Sequence, residues 1–276
     1  TNQNSQTNKH KKIGQRRFVF SQRIYPISET FCIFVVSTKK YLVMNLNNLS
    51  FKQKQTYYEA LCEMISPERV RLFEKIIEER TDHLCVVVEN IYQPQNASAV
   101  LRTSECLGVQ QVHVIENNNE YRLNPDVALG SNYWIDMHRY NRKENNTEDC
   151  LSKLKAEGYK IVATLPAEKD VSLPEIDITQ PLAIVFRKEK EGLSQKVKEM
   201  ADICMKIPMY GFTESYNISV SAAITLYTLS ERVRASNINY HLNSERRLNT
   251  LIKWAKHSIR RSDVVEKEVL KRLFNL

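Results

Sequence analysis

The chain has 276 residues, 42% of them hydrophobic and 26% charged, enough apolar material for one large core or two modest ones. Its formal charge of +8 suggests a polyanionic partner, but eight basic residues (Lys9, Lys11, Lys12, Arg16, Arg17, Arg23, Lys39 and Lys40) against Glu29 alone place +7 of it before Met44. The main body is therefore nearly neutral, and any nucleic-acid surface on it is a local patch. Six cysteines without a C-x-x-C pair and no secretory signal read as reduced thiols in a cytoplasmic protein. The six histidines show no ligand spacing, which argues against a metal centre. The longest apolar run near the start, Phe31–Val36, is too short to span a bilayer.

Residues 1–43 are polar and Asn/Gln-rich, then basic, with weak periodicity. They read as a poorly ordered leader, either an upstream extension with Met44 as the natural start or an acid-poor transit peptide. From Phe51 to Arg80 the pattern is helical, with Ser66-Pro67 marking an N-cap and a Pro at the first helical position. Strand and helix signals then alternate: strand Leu84–Glu89, helix Ala97–Leu107, strand Gln111–Ile115, helix Glu148–Glu157 and strand Lys160–Leu165. Strand Pro181–Phe186, helix Ser194–Met200, strand Cys204–Ile207 and helix Tyr216–Ala235 follow, and Asn243–Leu276 reads as two helices, the first strongly basic. Short apolar strands alternating with helices predict an α/β fold with a mostly parallel sheet covered on both faces.

Three strand-to-helix connections carry the chemistry. In the first, Asn96-Ala97-Ser98-Ala99-Val100-Leu101-Arg102 follows a buried strand, with Asn96 read as the N-cap and Arg102 on the second turn. The second runs Phe186-Arg187-Lys188-Glu189-Lys190-Glu191-Gly192-Leu193-Ser194, and the third Ile207-Pro208-Met209-Tyr210-Gly211-Phe212-Thr213-Glu214-Ser215-Tyr216-Asn217-Ile218. Each alone is an ordinary βα connection. Three polar loops at the carboxyl edge of one parallel sheet form a ligand site. With only six glycines in the chain, no Gly-rich loop follows the first strand, so a Rossmann-type nucleotide site is excluded.

Over about residues 84–235 these segments resemble the SpoU branch (TrmH-like) of the SPOUT RNA 2'-O-methyltransferases. Asn96, Ser98, Ala99 and Arg102 match its first motif. Glu189, Gly192 and Ser194 match the end of the second, and Ile207-Pro208-Met209, Gly211, Ser215, Asn217, Ser219 and Val220 match the third. Gly130-Ser131 followed by Trp134 resembles a segment of the tRNA-modifying members. The resemblance implies a C-terminal trefoil knot, a homodimer, S-adenosylmethionine as methyl donor and RNA as acceptor. It places Arg102 at the ribose 2'-hydroxyl and Asn96 beside it, fixing its side chain. Ser215 and Asn217 would contact RNA phosphate or shape the cofactor pocket. Leu165, Glu189, Met209, Gly211 and Ile218 would hold the cofactor, with Gly211 permitting the turn. Either an unusually perturbed Arg102 takes the hydroxyl proton, or Arg102 orients the hydroxyl and phosphate or solvent takes it. The chain departs from the family where Arg187 and Lys188 replace a Gly or small residue before Glu189, a position at which backbone approaches the cofactor.

The implied organisation is a leader over 1–43, a helical extension over 44–82, a SPOUT methyltransferase domain over 83–236 and a second helical extension over 243–276. The extensions resemble the tRNA-binding ones of enzymes that methylate a D-loop guanosine. A ribosomal-RNA methyltransferase of the same branch and a non-catalytic SPOUT-fold RNA-binding protein are the alternatives. Deleting residues 1–43 should leave the melting temperature and methyl transfer nearly unchanged while weakening RNA binding at low salt, where these charges act. Thermal melts and filter binding at two salt concentrations check this, and a collapse of stability would make the leader a structural element.

Overall fold

The computed structural model describes residues 48–164, 170–187 and 192–274. The leader, Leu165, Lys188 and Glu189 lie outside these residues. Two helices open the described chain, α1 (Phe51–Cys62) and α2 (Pro67–Ile77). Ser50 and Ser66 cap them through their hydroxyls, and Pro67 occupies the first turn of α2 as its spacing predicts.

The sheet follows. Strand β1 (Thr81–Glu89) leads through α3 (Pro94–Cys106) to β2 (Val109–Ile115). A short helix α4 (Pro125–Ala128) and a 3-10 turn at Ser131–Tyr133 precede β3 (Asp136–Tyr140). Helix α5 (Asn146–Ala156), β4 (Lys160–Thr164) and the two-residue β5 (Val171–Ser172) come next. Then come β6 (Leu182–Arg187), α6 (Gln195–Met200), β7 (Ile203–Lys206) and α7 (Ile218–Arg234). Helices α8 (Ser244–Ser258) and α9 (Ser262–Phe274) end the described chain.

The seven strands lie in the order β3-β2-β1-β6-β4-β7-β5, and every pairing between them is parallel. The mostly parallel α/β sheet expected from the pattern is thus present. The order has one unusual property: β6 enters between β1 and β4, and β7 between β4 and β5, each between strands already laid down.

Alternation along the buried strands sends side chains to two faces. Leu84, Val86, Val88, Ile184 and Phe186 face α3 and α7, meeting Val100, Leu101, Ala222 and Leu226. Cys85, Val87, Ala183 and Val185 face α5 and α6, meeting Cys150, Leu151, Leu154 and Val197. Two strands escape the sequence pattern. β3 is a half-buried edge strand of mostly polar residues, and β5 is too short to show a period. The close approach of α2 to the start of β2 requires Gly108, where a Cβ would lie 2.2 Å from the Glu79 carbonyl oxygen at φ +78°.

The two helical extensions, far apart in sequence, form one body. Phe73 and Ile77 of α2 pack with Leu251 and Trp254 of α8, with Trp134 against them. Trp254 Nε1 donates to the Trp134 carbonyl at 3.0 Å, and a buried Lys54 pairs with Glu245. The basic character of α8 is largely internal: Arg246 pairs with Asp82, Arg247 with Glu78, Lys253 with Asp136 and Lys256 with Glu266. The described cysteines, Cys62, Cys85, Cys106, Cys150 and Cys204, are all free thiols. Among the described residues no helix is long and apolar enough to cross a membrane.

Two histidines that look unrelated in sequence meet across β2 and β3. His113 stacks on His138 with ring centroids 4.7 Å apart, and its Nδ1 lies 3.1 Å from the Tyr140 hydroxyl. Burial first, then His138, Lys153 and Arg246, pushes the His113 imidazole down to about 3. Unfolded, the same group titrates near 6.5, so it stabilises the native state above that value and loses the contribution as pH falls from 6.5 toward 3. Asp82 acts in the opposite direction, because burial raises its carboxyl to about 6 despite Arg246 and Gln111. Its contribution is complete below 3.8 and is lost as pH rises through about 6. The two partly offset, so the difference between wild type and a variant isolates His113. Thermal melts between pH 5 and 7.5 should show that His113→Gln loses less stability on acidification, by up to ~1.4 kcal/mol per pH unit. Parallel profiles for the two proteins would remove His113 as the acid-sensitive group.

Candidate active site

Because the strands are parallel, the neighbours β1, β6, β4 and β7 all end at one edge of the sheet. The three loops singled out in the sequence leave from β1, β6 and β7 at that edge, where open α/β sheets bind ligands.

In the first connection Pro94 takes the first helical position and Gln93 the N-cap, without a side-chain capping bond. This corrects the reading of Asn96 as the cap. Proline's fixed φ starts the helix earlier, so Asn96 is its third residue. The Asn96 Nδ2 donates to Gln93 Oε1 at 2.8 Å, and its Oδ1 accepts from Asn217 Nδ2 at 3.3 Å. Asn217 caps α7, its Oδ1 accepting from the Ser219 backbone N–H at 2.8 Å and hydroxyl at 2.6 Å. A side-chain relay therefore joins the first and third connections across 121 residues. The Asn96 side chain is held by Gln93 and Asn217 rather than reaching Arg102. Arg102 is exposed and makes no hydrogen bond or ion pair among the described residues. The first turn of α3 is braced from below: Ser98 Oγ accepts from the Asn124 N–H at 2.7 Å, and the Tyr121 hydroxyl donates to the Ala97 carbonyl at 3.1 Å.

The second connection returns to the sheet through Ser194, the N-cap of α6. Its hydroxyl donates to Glu89 Oε1 at 2.7 Å and its backbone N–H to Glu89 Oε2 at 3.2 Å. The Thr147 hydroxyl of α5 donates to the same Oε1 at 2.7 Å. Glu89, at the end of β1, is completely buried. Sequence reasoning took it only as a strand terminus. A carboxylate closing an apolar run at a ligand-binding edge is the signal that marks it.

The third connection is open. Met209 is 38%, Tyr210 98% and Phe212 108% exposed, and Ser215 is exposed beside them. Ile218 instead starts α7 inside the core. Gly211 has no positive φ, and a Cβ there would meet nothing within 4 Å. Gly211, read as permitting this turn, does so without drawing on glycine's conformational freedom. Among the described residues, the backbone N–H and C=O groups of 208–216 make no hydrogen bond.

A parallel sheet whose carboxyl edge gathers an asparagine relay and an unpaired backbone loop is an α/β ligand site without a Gly-rich phosphate cradle. The SpoU rRNA Methylase family model matches residues 83–227, and the chain belongs to this family. It is 43% identical over 206 residues to a tRNA (guanosine(18)-2'-O)-methyltransferase of Borreliella burgdorferi, covering 75% of this chain and 93% of that one. It is 31% identical over 189 residues to the enzyme of the same name from Escherichia coli K12, covering 68% and 76% of the two chains. The crystal structure of the Aquifex aeolicus TrmH/SpoU tRNA modifying enzyme superposes with a TM-score of 0.63 at 28% identity, over 70% of this chain and 98% of that one.

The relay separates two jobs of Asn217. Asn217→Ala removes the cap and should lower stability by about 1 kcal/mol, a shift of roughly 2–4 °C. Asn217→Asp keeps the accepting oxygen and should melt close to wild type, while losing the donor to Asn96. Equal melting losses in both variants, measured by calorimetry, would show that the bond to Asn96 rather than the cap holds α7.

Proposed function

We propose that this chain is an S-adenosylmethionine-dependent tRNA methyltransferase that methylates the ribose 2'-oxygen of a D-loop guanosine, the one numbered 18 in its relatives' names. The observation that carries this reading is the 43% identity spanning nearly the whole Borreliella burgdorferi enzyme. The bond between Asn96 and Asn217, which joins the first and third connections, supports a site built from Asn96, Arg102, Ser215 and Asn217.

The residues present fit the cofactor. The loop 208–216 presents unpaired backbone groups next to the apolar Ile207 and Met209, suited to hold a nucleoside through main-chain bonds. Met209, Gly211 and Ile218 would hold it with Leu165 and Glu189 of the neighbouring connections. When bound, S-adenosylmethionine supplies a sulfonium methyl with its own leaving group. The protein's share is alignment and charge. An arginine side chain is a poor base. The Arg102 guanidinium donates to the 2'-oxygen, orients it and favours the negative charge that builds there, while phosphate or solvent takes the proton. Asn96 and Asn217 hold the starts of α3 and α7 at a fixed separation, so Arg102 meets the ligand loop in register. Ser215 and the N-terminus of α7 offer N–H and hydroxyl donors to an RNA phosphate.

The insertion of β6 and β7 between earlier strands supports a trefoil knot in the 83–236 domain. The exposed Tyr210, Phe212, Tyr216, Val220 and Tyr227 form an apolar stretch from the third loop along α7, which supports a homodimer formed on that face. The extensions over 44–82 and 243–276, packed as one helical body, serve tRNA binding in the cytoplasm.

Arg102→Ala should retain cofactor binding by calorimetry and lose more than tenfold in methyl transfer to a tRNA transcript, over ~1.4 kcal/mol of transition-state stabilisation. Retention of a tenth of wild-type turnover would remove Arg102 from the chemistry. Methyl label appearing in ribosomal RNA instead of tRNA would replace the substrate assignment.

A further inference from the structure

Beside the α3 helix that carries Arg102, the molecule has a cleft of about 150 Å³ lined by Arg69, Leu72, Phe73, Ile76, Arg80, Glu105, Trp134 and Trp254. Cavities of this size hold one aromatic ring. Its walls are themselves aromatic: the Phe73 ring centroid lies 6.1 Å from that of Trp134 and 5.7 Å from that of Trp254. Guanidinium planes complete it. Arg69 sits 5.2 Å from the Trp134 ring, and Arg80 5.3 Å from the Trp254 ring. At the rim, Tyr133 stacks on His257 at 3.9 Å and is 47% exposed.

One polar atom in the cleft lacks a partner. Arg80 is 1% exposed, and its terminal nitrogens donate to the Glu105 carbonyl at 3.2 Å and to Glu105 Oε1 at 2.7 Å. Its Nε is buried without a hydrogen-bond acceptor. The bonds to Glu105 keep the guanidinium fixed as part of the wall, and the buried Nε offers no donor to the cleft. Glu105 itself is three residues beyond Arg102 on α3, so the two side chains are neighbours on the helix surface.

We propose that this cleft is a nucleobase pocket that takes one unstacked base of the RNA, adjacent to the nucleotide presented to Arg102. The proposal rests on the RNA methyltransferase reading above. Aromatic and guanidinium planes stack any base, and the Glu105 carboxylate accepts an amino or imino hydrogen. The two cations also suit a polyanion. A base seated here would splay the strand and fix which ribose reaches Arg102, which is a means of choosing a nucleotide without reading that nucleotide's own edge.

The two tryptophans of the chain, Trp134 and Trp254, both line the cleft, so intrinsic fluorescence reports on it directly. The full chain is titrated with an in-vitro-transcribed tRNA in the presence of S-adenosylhomocysteine, with filter binding in parallel. Quenching that saturates at the filter-binding midpoint is expected. Leu72→Glu, at a mouth residue that is 42% exposed, and Arg69→Ala should reduce the quenching and raise KM for tRNA roughly tenfold at an unchanged melting temperature, with Leu72→Met restoring both. Binding and methylation without any fluorescence change, and with KM of Leu72→Glu unaltered, would overturn the pocket and leave the methyltransferase reading intact. Loss of both binding and methylation in the wild type would overturn the two together. Quenching that follows protein concentration without RNA would assign the cleft to a second copy of the chain and overturn the proposal.

Discussion

A buried carboxylate at the end of the central strand holds the site together. Glu89 receives the Ser194 hydroxyl and backbone N–H and the Thr147 hydroxyl, so the first residues of α5 and α6 converge on one negative charge. Helix N-termini carry partial positive charge, and a carboxylate there is favoured by the dipoles as well as by the hydrogen bonds. Removing the charge would leave several buried donors without an acceptor and release the return of the second connection from β1. The next residue, Asn90, continues the function at φ 51°, its Oδ1 accepting from the N–H groups of Asn117 and Asn118. The strand end thus fixes the loops on both sides of it, and α3 starts from a rigid base.

Much of this was legible from the chain alone, for physical reasons. Buried parallel strands must be apolar on both faces, so Leu84–Val88 and Leu182–Phe186 announce themselves, as do the loops leaving their carboxyl ends. What escaped was set by tertiary context. Pro94 moved the helix start away from Asn96, and Asp136–Tyr140 became a strand by pairing with β2 at an edge where polar residues are tolerated. Gly211 sits where its turn does not use glycine's freedom. The Asn96–Asn217 bond joins residues whose proximity depends on strand order, which no local pattern encodes.

Charge offers the same lesson. The basic run of α8 looks in sequence like an RNA-binding face, yet Arg246, Arg247, Lys253 and Lys256 are engaged by acids from β1, the end of α2, the start of β3 and α9. Those pairs orient the helical body on the sheet. Arg69, by contrast, lies over the Phe73 and Trp134 rings, and Arg102 is exposed on α3 without an ion pair among the described residues. A nearly neutral body whose basic helix is internally paired suits recognition by shape better than capture by bulk field.

The order of the strands governs when the molecule can become competent as well as what it looks like. β6 and β7 must slot between strands that precede them in the chain, so the edge that carries the second and third connections cannot exist until β7, ending at Lys206, has been made. Contacts of such long sequence separation carry a large closure entropy and form slowly. A nascent chain ending before β6 would expose the apolar edges of β1 and β4 with nothing between them, a state prone to aggregation. This edge consequently closes only after the strands on both sides of β6 and β7 have been made.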